Sequence, residues 1–263
     1  MKTLTIANYQ WKNLLRDLWM IGYALIYLVL TDALIRFGGG GAKAMLSLSN
    51  IMLLFVPLVS LIYGVLYLYQ SREFVEMLLA QPMDRRRIFA GVYGGLALPL
   101  CLAFLLGVGA PLLYTGAWIG AGAGGMATVL GLGVVLTLVF TGIGFLFGLR
   151  YYDDRVKGFG FALISWLLLA VLYDGLILLV VSSFSQYPLE KVVIGLSVLN
   201  PIDLARIGVL LHFDFSALMG YTGAVFNRFF GGAMGMVLSS ACLVLWMVIP
   251  VWRGLKLFER KDF

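Results

Sequence analysis

The residue of this sequence best placed to do chemistry is an aspartate inside an apolar run. Asp174 lies in WLLLAVLYDGLILLVV, which extends from Trp166 to Val181. A carboxylate in the middle of a membrane costs about 2.5 kcal/mol or more, so such a residue normally faces protein or water. Two roles fit Asp174: it lines a gate or substrate path inside a helical bundle, or it forms a structural pair with a tyrosine hydroxyl or a backbone group.

Other groups that could catalyse a reaction or hold a metal are scarce. The chain contains no GxxxxGK[ST] phosphate loop, and His212 is its single histidine, which excludes an HExxH motif. Met234 and Met236 carry thioethers of the kind that bind Cu(I), but a spacing of two residues places them on different faces of a helix. We therefore expect no catalytic residue, no metal site and no cofactor, and we do not expect the chain to be an enzyme.

The composition indicates that lipid surrounds most of the chain, so the elements that position Asp174 are expected to be membrane-spanning segments. Hydrophobic residues make up 62% of it and charged residues 12%, whereas a soluble domain is roughly half apolar. The net charge of +6 arises from short basic clusters between apolar runs, a pattern that does not indicate nucleic-acid binding. Six runs could cross about 30 Å of hydrocarbon as helices, namely residues 19–36, 51–69, 90–114, 126–149, 159–184 and 233–251. The predicted fold is an all-α, polytopic membrane bundle with six transmembrane helices.

The distribution of basic residues predicts the orientation of this bundle. Fourteen of the 19 Lys and Arg residues lie before the first span, in the second and fourth loops, and after the sixth span. Because Lys and Arg accumulate in cytoplasmic loops, we predict that both termini are cytoplasmic. The domain organisation follows: an amphipathic interfacial helix at residues 1–18, a six-span domain at 19–252 and a cytoplasmic tail at 253–263.

The loop between the second and third spans, SREFVEMLLAQPMDRRRIFAG, has the pattern of a docking helix. Residues 72–80 form an apolar and a polar face, Pro82 ends the helix, and a basic triplet leads into the third span. A short helix too polar to cross the membrane suits a groove on a partner protein; the other interpretation is a positive-inside anchor with an incidental turn. We predict a coupling helix at 71–87, with contacts from Arg72, Glu73, Phe74, Glu76, Met77, Leu78, Arg85, Arg86 and Arg87.

Residues 185–232, between the fifth and sixth spans, are too long for a simple turn and too apolar for a disordered one. Asn200 and Pro201 favour a turn, after which residues 202–211 can form a short helix with Asp203 near its start and Arg206 one turn on. We predict an interfacial cap on the extracytoplasmic side, with Asn200, Asp203 and Arg206 as its polar residues. The cap closes an exit or docks a periplasmic protein, or it is a lipid-anchored lid without a partner.

The second loop also carries a family resemblance. Its order of leucines, Pro82, a basic cluster, Ile88 and Gly91 resembles the permeases of the ABC-2 exporter type, although Arg72, Glu73 and Phe74 replace the Gly-Thr pair that usually precedes the leucines. The resemblance implies a multi-pass protein of the bacterial inner membrane that works as a homodimer. It also implies that a separate cytoplasmic ATPase dimer docks on the coupling helix and drives alternating access.

Two further segments narrow the resemblance. Residues 166–181 and LNPIDLARI, from Leu199 to Ile207, are similar to the NosY-type permeases of the transporter that matures nitrous oxide reductase. This resemblance implies a role in copper-site assembly, either by moving a sulfur species or by transmitting force to a periplasmic partner. The alternative function is a stand-alone proton-coupled carrier in which Asp174 cycles its proton.

Overall fold

A computed structural model of the chain describes residues 18–38, 41–184, 190–212 and 233–261. Within these ranges the regular elements are all helices, and no strand is formed. The amphipathic helix predicted at 1–18 lies outside the described residues except for Leu18, which begins the first span.

Six helical stretches of the described chain are long and apolar enough to cross a membrane, which confirms the all-α, six-span fold. The spans are α1, α2, α4, α5, the pair α6 and α7, and α10. In chain order the elements are α1 (Leu18–Phe37), α2 (Gly41–Gln70), α3 (Arg72–Leu79), α4 (Arg85–Tyr114), α5 (Ala117–Arg150), α6 (Arg155–Leu167), a π-helical turn (Leu168–Leu172), α7 (Tyr173–Ser183), α8 (Glu190–Val198), α9 (Pro201–His212) and α10 (Ala233–Arg260).

The second span begins earlier than the hydropathy predicts. Polar residues at positions 47, 49 and 50 interrupt the apolar run, whereas the helix begins at Gly41. Met45, Leu48 and Met52 are all buried, because spacings of three and four residues place them on one face of the helix, against the core. The periodic burial of one face therefore extends the helix beyond the continuously apolar stretch.

Helices α2 and α5 form the centre of the bundle and approach each other at two glycines. A Cβ atom added to Gly144 would lie 2.5 Å from the carbonyl oxygen of Leu61, and one added to Gly64 would lie 2.9 Å from that of Thr141. Small residues at a crossing let the backbones of two membrane helices come into contact. This contact sets the crossing around which the other spans pack.

The segment predicted as a cap contains two short helices, α8 and α9, that meet at 109°. Asn200 lies at the bend and is fully buried. Its Oδ1 accepts a hydrogen bond from the N–H of Ile202 at 3.1 Å, and its Nδ2 donates one to the carbonyl of Leu169 at 2.9 Å. Because Leu169 belongs to the π-helical turn of the fifth span, one side chain both starts α9 and joins it to that span. The rest of the predicted cap, residues 185–189 and 213–232, lies outside the described residues.

Candidate coupling site and ion cluster

The short helix α3 connects the second and third spans and buries one face against the bundle. Val75 is 0% exposed and Leu78 is 6% exposed, whereas Met77 is 55% exposed. The sequence pattern predicts an apolar face of Phe74, Met77 and Leu78, whereas the buried face contains Val75 and Leu78 and leaves Met77 exposed. The helix presents Met77 and the neighbouring Glu73 outward, where a partner could reach them.

Arg72, in the first turn of α3, joins this helix to the loop between the fourth and fifth spans. Its Nε lies 2.8 Å from Glu76 Oε1, and its Nη2 lies 3.5 Å from Asp153 Oδ1. Its guanidinium group also lies over the ring of Tyr152, 4.6 Å from the centroid. The contacts of Arg72 with Asp153 and Tyr152 hold α3 and the loop at residues 151–154 together, and its pair with Glu76 lies within α3.

The basic triplet lies in the first turn of the third span, beyond the end of α3 at Leu79. Arg85 donates hydrogen bonds to the carbonyls of Glu259 at 2.9 Å and Lys261 at 2.8 Å. Arg86 pairs with the Glu259 carboxylate at 2.5 Å, and Arg87 pairs locally with Asp84 at 3.1 Å. Cations at the last carbonyls of a helix stabilise its C-terminus, so Arg85 anchors the end of α10 beside α4, and Arg86 adds an ion pair with the Glu259 side chain.

Lys261 completes the contacts at this end of the bundle. Its Nζ donates to the Leu149 carbonyl at 3.1 Å, lies 3.9 Å from Asp153 Oδ2 and lies over the Tyr152 ring. Partial burial lowers the pKa of Lys261. We call the end formed by residues 71–87, residues 151–154 and residues 259–261 the basic end; a cleft of about 450 Å³ opens there between Asp84, the basic triplet and Glu259.

Several residues of the basic end were missed by the sequence analysis. Tyr152, Asp153, Glu259 and Lys261 all contact the predicted coupling segment. The sequence feature that could have indicated them is the acidic pair Asp153 and Asp154 in an otherwise basic loop. This feature predicts ion pairs but does not show which residues form them.

A second group of charges lies where α9 meets the fifth span, and we call Asp174, Asp203 and Arg206 the ion cluster. The Nη1 atom of Arg206 lies 2.8 Å from Asp174 Oδ1 and 2.7 Å from Asp174 Oδ2. The same nitrogen lies 3.3 Å from Asp203 Oδ1. Tyr173, next to Asp174, donates its hydroxyl to the Leu196 carbonyl at 2.7 Å, so α8 is joined to the fifth span as well.

The ion cluster changes two expectations about Asp174. The apolar run around Asp174 predicts that it is the one deeply placed charge of the sequence, but the side chain of Asp203 is 7% exposed while that of Asp174 is 43% exposed. The expected structural partner was a tyrosine hydroxyl or a backbone group, whereas the partner is Arg206. The reason is the bend at Asn200, which turns α9 so that its arginine reaches the fifth span.

Known proteins similar to this chain are membrane permeases. A family model described as "ABC-2 family transporter protein" matches residues 30–263. A relative from Pseudomonas aeruginosa, named "Probable ABC transporter permease protein NosY", is 25% identical over 267 residues, which cover 95% of this chain and 93% of the relative. A relative of the same name from Stutzerimonas stutzeri is 25% identical over 274 residues, which cover 96% and 94%.

These matches confirm both resemblances found in the sequence. Permeases of this family are the membrane subunits of transporters whose ATPase activity lies in a separate subunit. The six apolar helices agree with that role. The chain therefore belongs to the ABC-2 transporter family and is a multi-pass permease of the bacterial inner membrane.

Proposed function

We propose that two copies of this chain form the membrane part of an ATP-driven transporter and that a separate cytoplasmic ATPase dimer docks on α3. The observation that carries the proposal is the division of α3 into two faces. Val75 and Leu78 anchor it to the bundle, while Met77 remains 55% exposed. An exposed apolar side chain beside Glu73, on a short helix outside the spans, suits a groove on a partner.

The contacts of the basic end support a path for force from α3 into the spans. Arg72 joins α3 to Asp153, and the fifth span begins two residues later at Arg155. Asp154 receives a hydrogen bond from the N–H of Lys157 at 3.0 Å, which starts that helix and lowers the pKa of Asp154. Arg85 and Arg86 carry the same displacement to α10. Movement of a docked ATPase is thus transmitted to the second, third, fifth and sixth spans as rigid bodies.

The homodimer is supported by the exposure of the fifth span. Val171, Leu172 and Leu178 are exposed in a single copy, and so is 43% of the Asp174 side chain. Lipid is a poor environment for a carboxylate, which in membrane proteins faces protein or a water-filled cavity. A second copy, or a pathway between two copies, covers this face of the fifth span in our proposal.

We extend the proposal to copper-site assembly for nitrous oxide reductase, the role that the resemblance of residues 166–181 and 199–207 to NosY-type permeases implies. The permease serves that role either by moving a sulfur species or by transmitting force to a periplasmic partner. The bent pair of α8 and α9, on the predicted extracytoplasmic side, is the part of the chain that such a partner would contact.

A stand-alone proton carrier that uses Asp174 is the second candidate. Both oxygens of Asp174 contact Arg206, so each protonation cycle would have to weaken an existing ion pair. ATP-driven coupling through α3 needs no such step and agrees with the family.

Copurification of the permease with a separately encoded ATPase from the same genome tests the proposal. Glu73→Lys should reduce the amount of ATPase recovered while leaving the thermal unfolding of the permease unchanged. Lys43→Glu, an exposed charge change on the second span away from the basic end, is the control and should recover the ATPase as the unmodified chain does. Equal recovery with Glu73→Lys would contradict docking on α3.

A further inference from the structure

The ion cluster contains two acids and a single cation, and this imbalance has a chemical consequence. Arg206 Nη1 makes its shorter contacts, 2.8 and 2.7 Å, with Asp174. Asp203 receives only a 3.3 Å contact through Oδ1. Its other oxygen, Oδ2, is buried and accepts no hydrogen bond from the described residues.

A buried oxygen of this kind is costly if Asp203 is ionised. An ionised carboxylate in an apolar environment requires a partner for its charge, and without one the group takes up a proton instead. Two carboxylates that share one site hold one proton between them for the same reason. Asp174 and Asp203 contact the same nitrogen of Arg206, so a proton on Asp203 would turn its unpartnered oxygen into a donor beside the Asp174 carboxylate.

We propose that the ion cluster is a proton-binding site, in which Asp203 holds a proton that it shares with Asp174 and thereby fastens α9 to the fifth span. The groups that act on Asp203 are Arg206 from its own helix, Asp174 and Tyr173 from α7, and Asn200 from the bend. Helices α2, α5 and α10 also pack against α9, and their described residues add no charged group to this set.

The proton on Asp203 affects how firmly α9 is held against the fifth span. With the proton bound, the cluster is electrically neutral; without it, the cluster carries a net negative charge, and its Asp203 carboxylate is buried where α9 meets the fifth span. Asn200 and Tyr173 join the same elements through backbone carbonyls and do not depend on the proton. Loss of the proton therefore loosens α9 at the cluster while the bend itself remains held.

Infrared spectroscopy of the purified full-length permease in lipid detects the proton directly. We expect a C=O stretch from a protonated carboxylic acid at neutral pH that disappears as the pH rises and that is missing in Asp203→Asn. The control Asp32→Asn should keep the band, because Asp32 is paired with Arg36 at 2.7 Å and is not buried. A spectrum without this band at neutral pH, or a band that persists in Asp203→Asn, would overturn the proposal.

Thermal unfolding gives a second measurement that does not depend on the infrared assignment. Because the folded state keeps a proton that the unfolded chain releases near pH 4, the unfolding temperature should fall as the pH rises from about 4 to the pH at which folded Asp203 loses its proton, and should level off above that pH. Asp203→Asn, which keeps a hydrogen-bond donor at this position, should lose that dependence. The infrared titration is repeated in sodium and in choline salts. If loss of the carboxylic acid band depends on sodium and not on pH, the cluster is a metal-cation site and the proton-binding proposal is wrong. If Asp203→Asn does not fold, the infrared titration of the unmodified chain decides alone.

Discussion

Arg72 Nη2 lies 3.5 Å from Asp153 Oδ1 and so bridges the helix after the second span and the loop before the fifth. Both side chains are partly exposed, and an ion pair of this kind contributes less than about 1 kcal/mol to stability. The structural effect of the pair is to hold two segments side by side: α3, after the second span, and the loop at residues 151–154, before the fifth span.

Removal of this bridge should uncouple ATP hydrolysis from the permease without unfolding it. Arg72→Ala frees α3 from the loop at residues 151–154, so a docked ATPase would move α3 without moving the fifth span. We expect thermal unfolding within a few degrees of the unmodified chain and a reduced effect of the permease on ATPase activity. Arg87→Ala, which breaks only a local pair with Asp84, is the control and should retain that effect.

The two faces of α3 should respond differently to the same substitution. Val75→Asn buries an amide that lacks a partner, which lowers the free energy of unfolding by about 1–3 kcal/mol. Met77→Asn exposes the same amide to solvent, so folding should be unaffected while ATPase binding weakens. Thermal unfolding and copurification measure the two effects, and identical behaviour of the two variants would contradict the assignment of the faces.

The glycine contact at the centre of the bundle should not tolerate a methyl group. In Gly144→Ala the new Cβ would lie 2.5 Å from the Leu61 carbonyl oxygen, and overpacking of this kind costs about 1–3 kcal/mol. Gly131→Ala, on the same helix, meets nothing within 4 Å and should be neutral or slightly stabilising. The comparison of the two unfolding curves tests whether α2 and α5 are in backbone contact.

The ion cluster should show strong non-additivity. Arg206→Met removes the cation and leaves two acids facing each other; loss of the partner of the buried Asp203 carboxyl costs about 1–3 kcal/mol. The double variant Arg206→Met with Asp174→Asn removes one of the acids, so it should recover part of the lost stability. Arg36→Met breaks an exposed pair and should change little in the same unfolding assay.

The proposed dimer can be tested by disulfide formation in membranes, after replacement of Cys101 and Cys242 by serine. Leu178 is 68% exposed and lies one turn beyond Asp174, so Leu178→Cys should form a disulfide between two copies. Leu106 on the third span is 62% exposed, and the control Leu106→Cys should remain monomeric. Equal crosslinking of both variants would indicate random collision and would contradict a dimer through the fifth span.

The six spans could be predicted because hydropathy depends only on which residues occur in a run. The start of the second span could not, since polar residues at positions 47, 49 and 50 interrupt the apolar run beside the buried Met45 and Leu48. The same limit applies to α3. Its amphipathic pattern predicts a helix, but the choice of Val75 over Met77 as a buried residue depends on where the neighbouring helices lie.

Only one of the two ion pairs in the ion cluster could be predicted from the sequence. Asp203 and Arg206 are three residues apart, a spacing that predicts neighbours on a helix. Asp174 lies 32 residues from Arg206, and their contact requires the bend at Asn200. No pattern along the chain encodes the angle of that bend.

The π-helical turn at Leu168–Leu172 divides the fifth span into two pieces whose rotations are set separately. A π turn accommodates one extra residue, and each residue of an α-helix corresponds to a rotation of about 100°. Deletion of a single residue in this turn would rotate Asp174 away from Arg206 and leave the portion that begins at Arg155 unchanged. The two parts of the fifth span are therefore positioned separately. Contacts at the basic end fix the position of α6, and the ion cluster fixes the rotation of α7 about its helix axis.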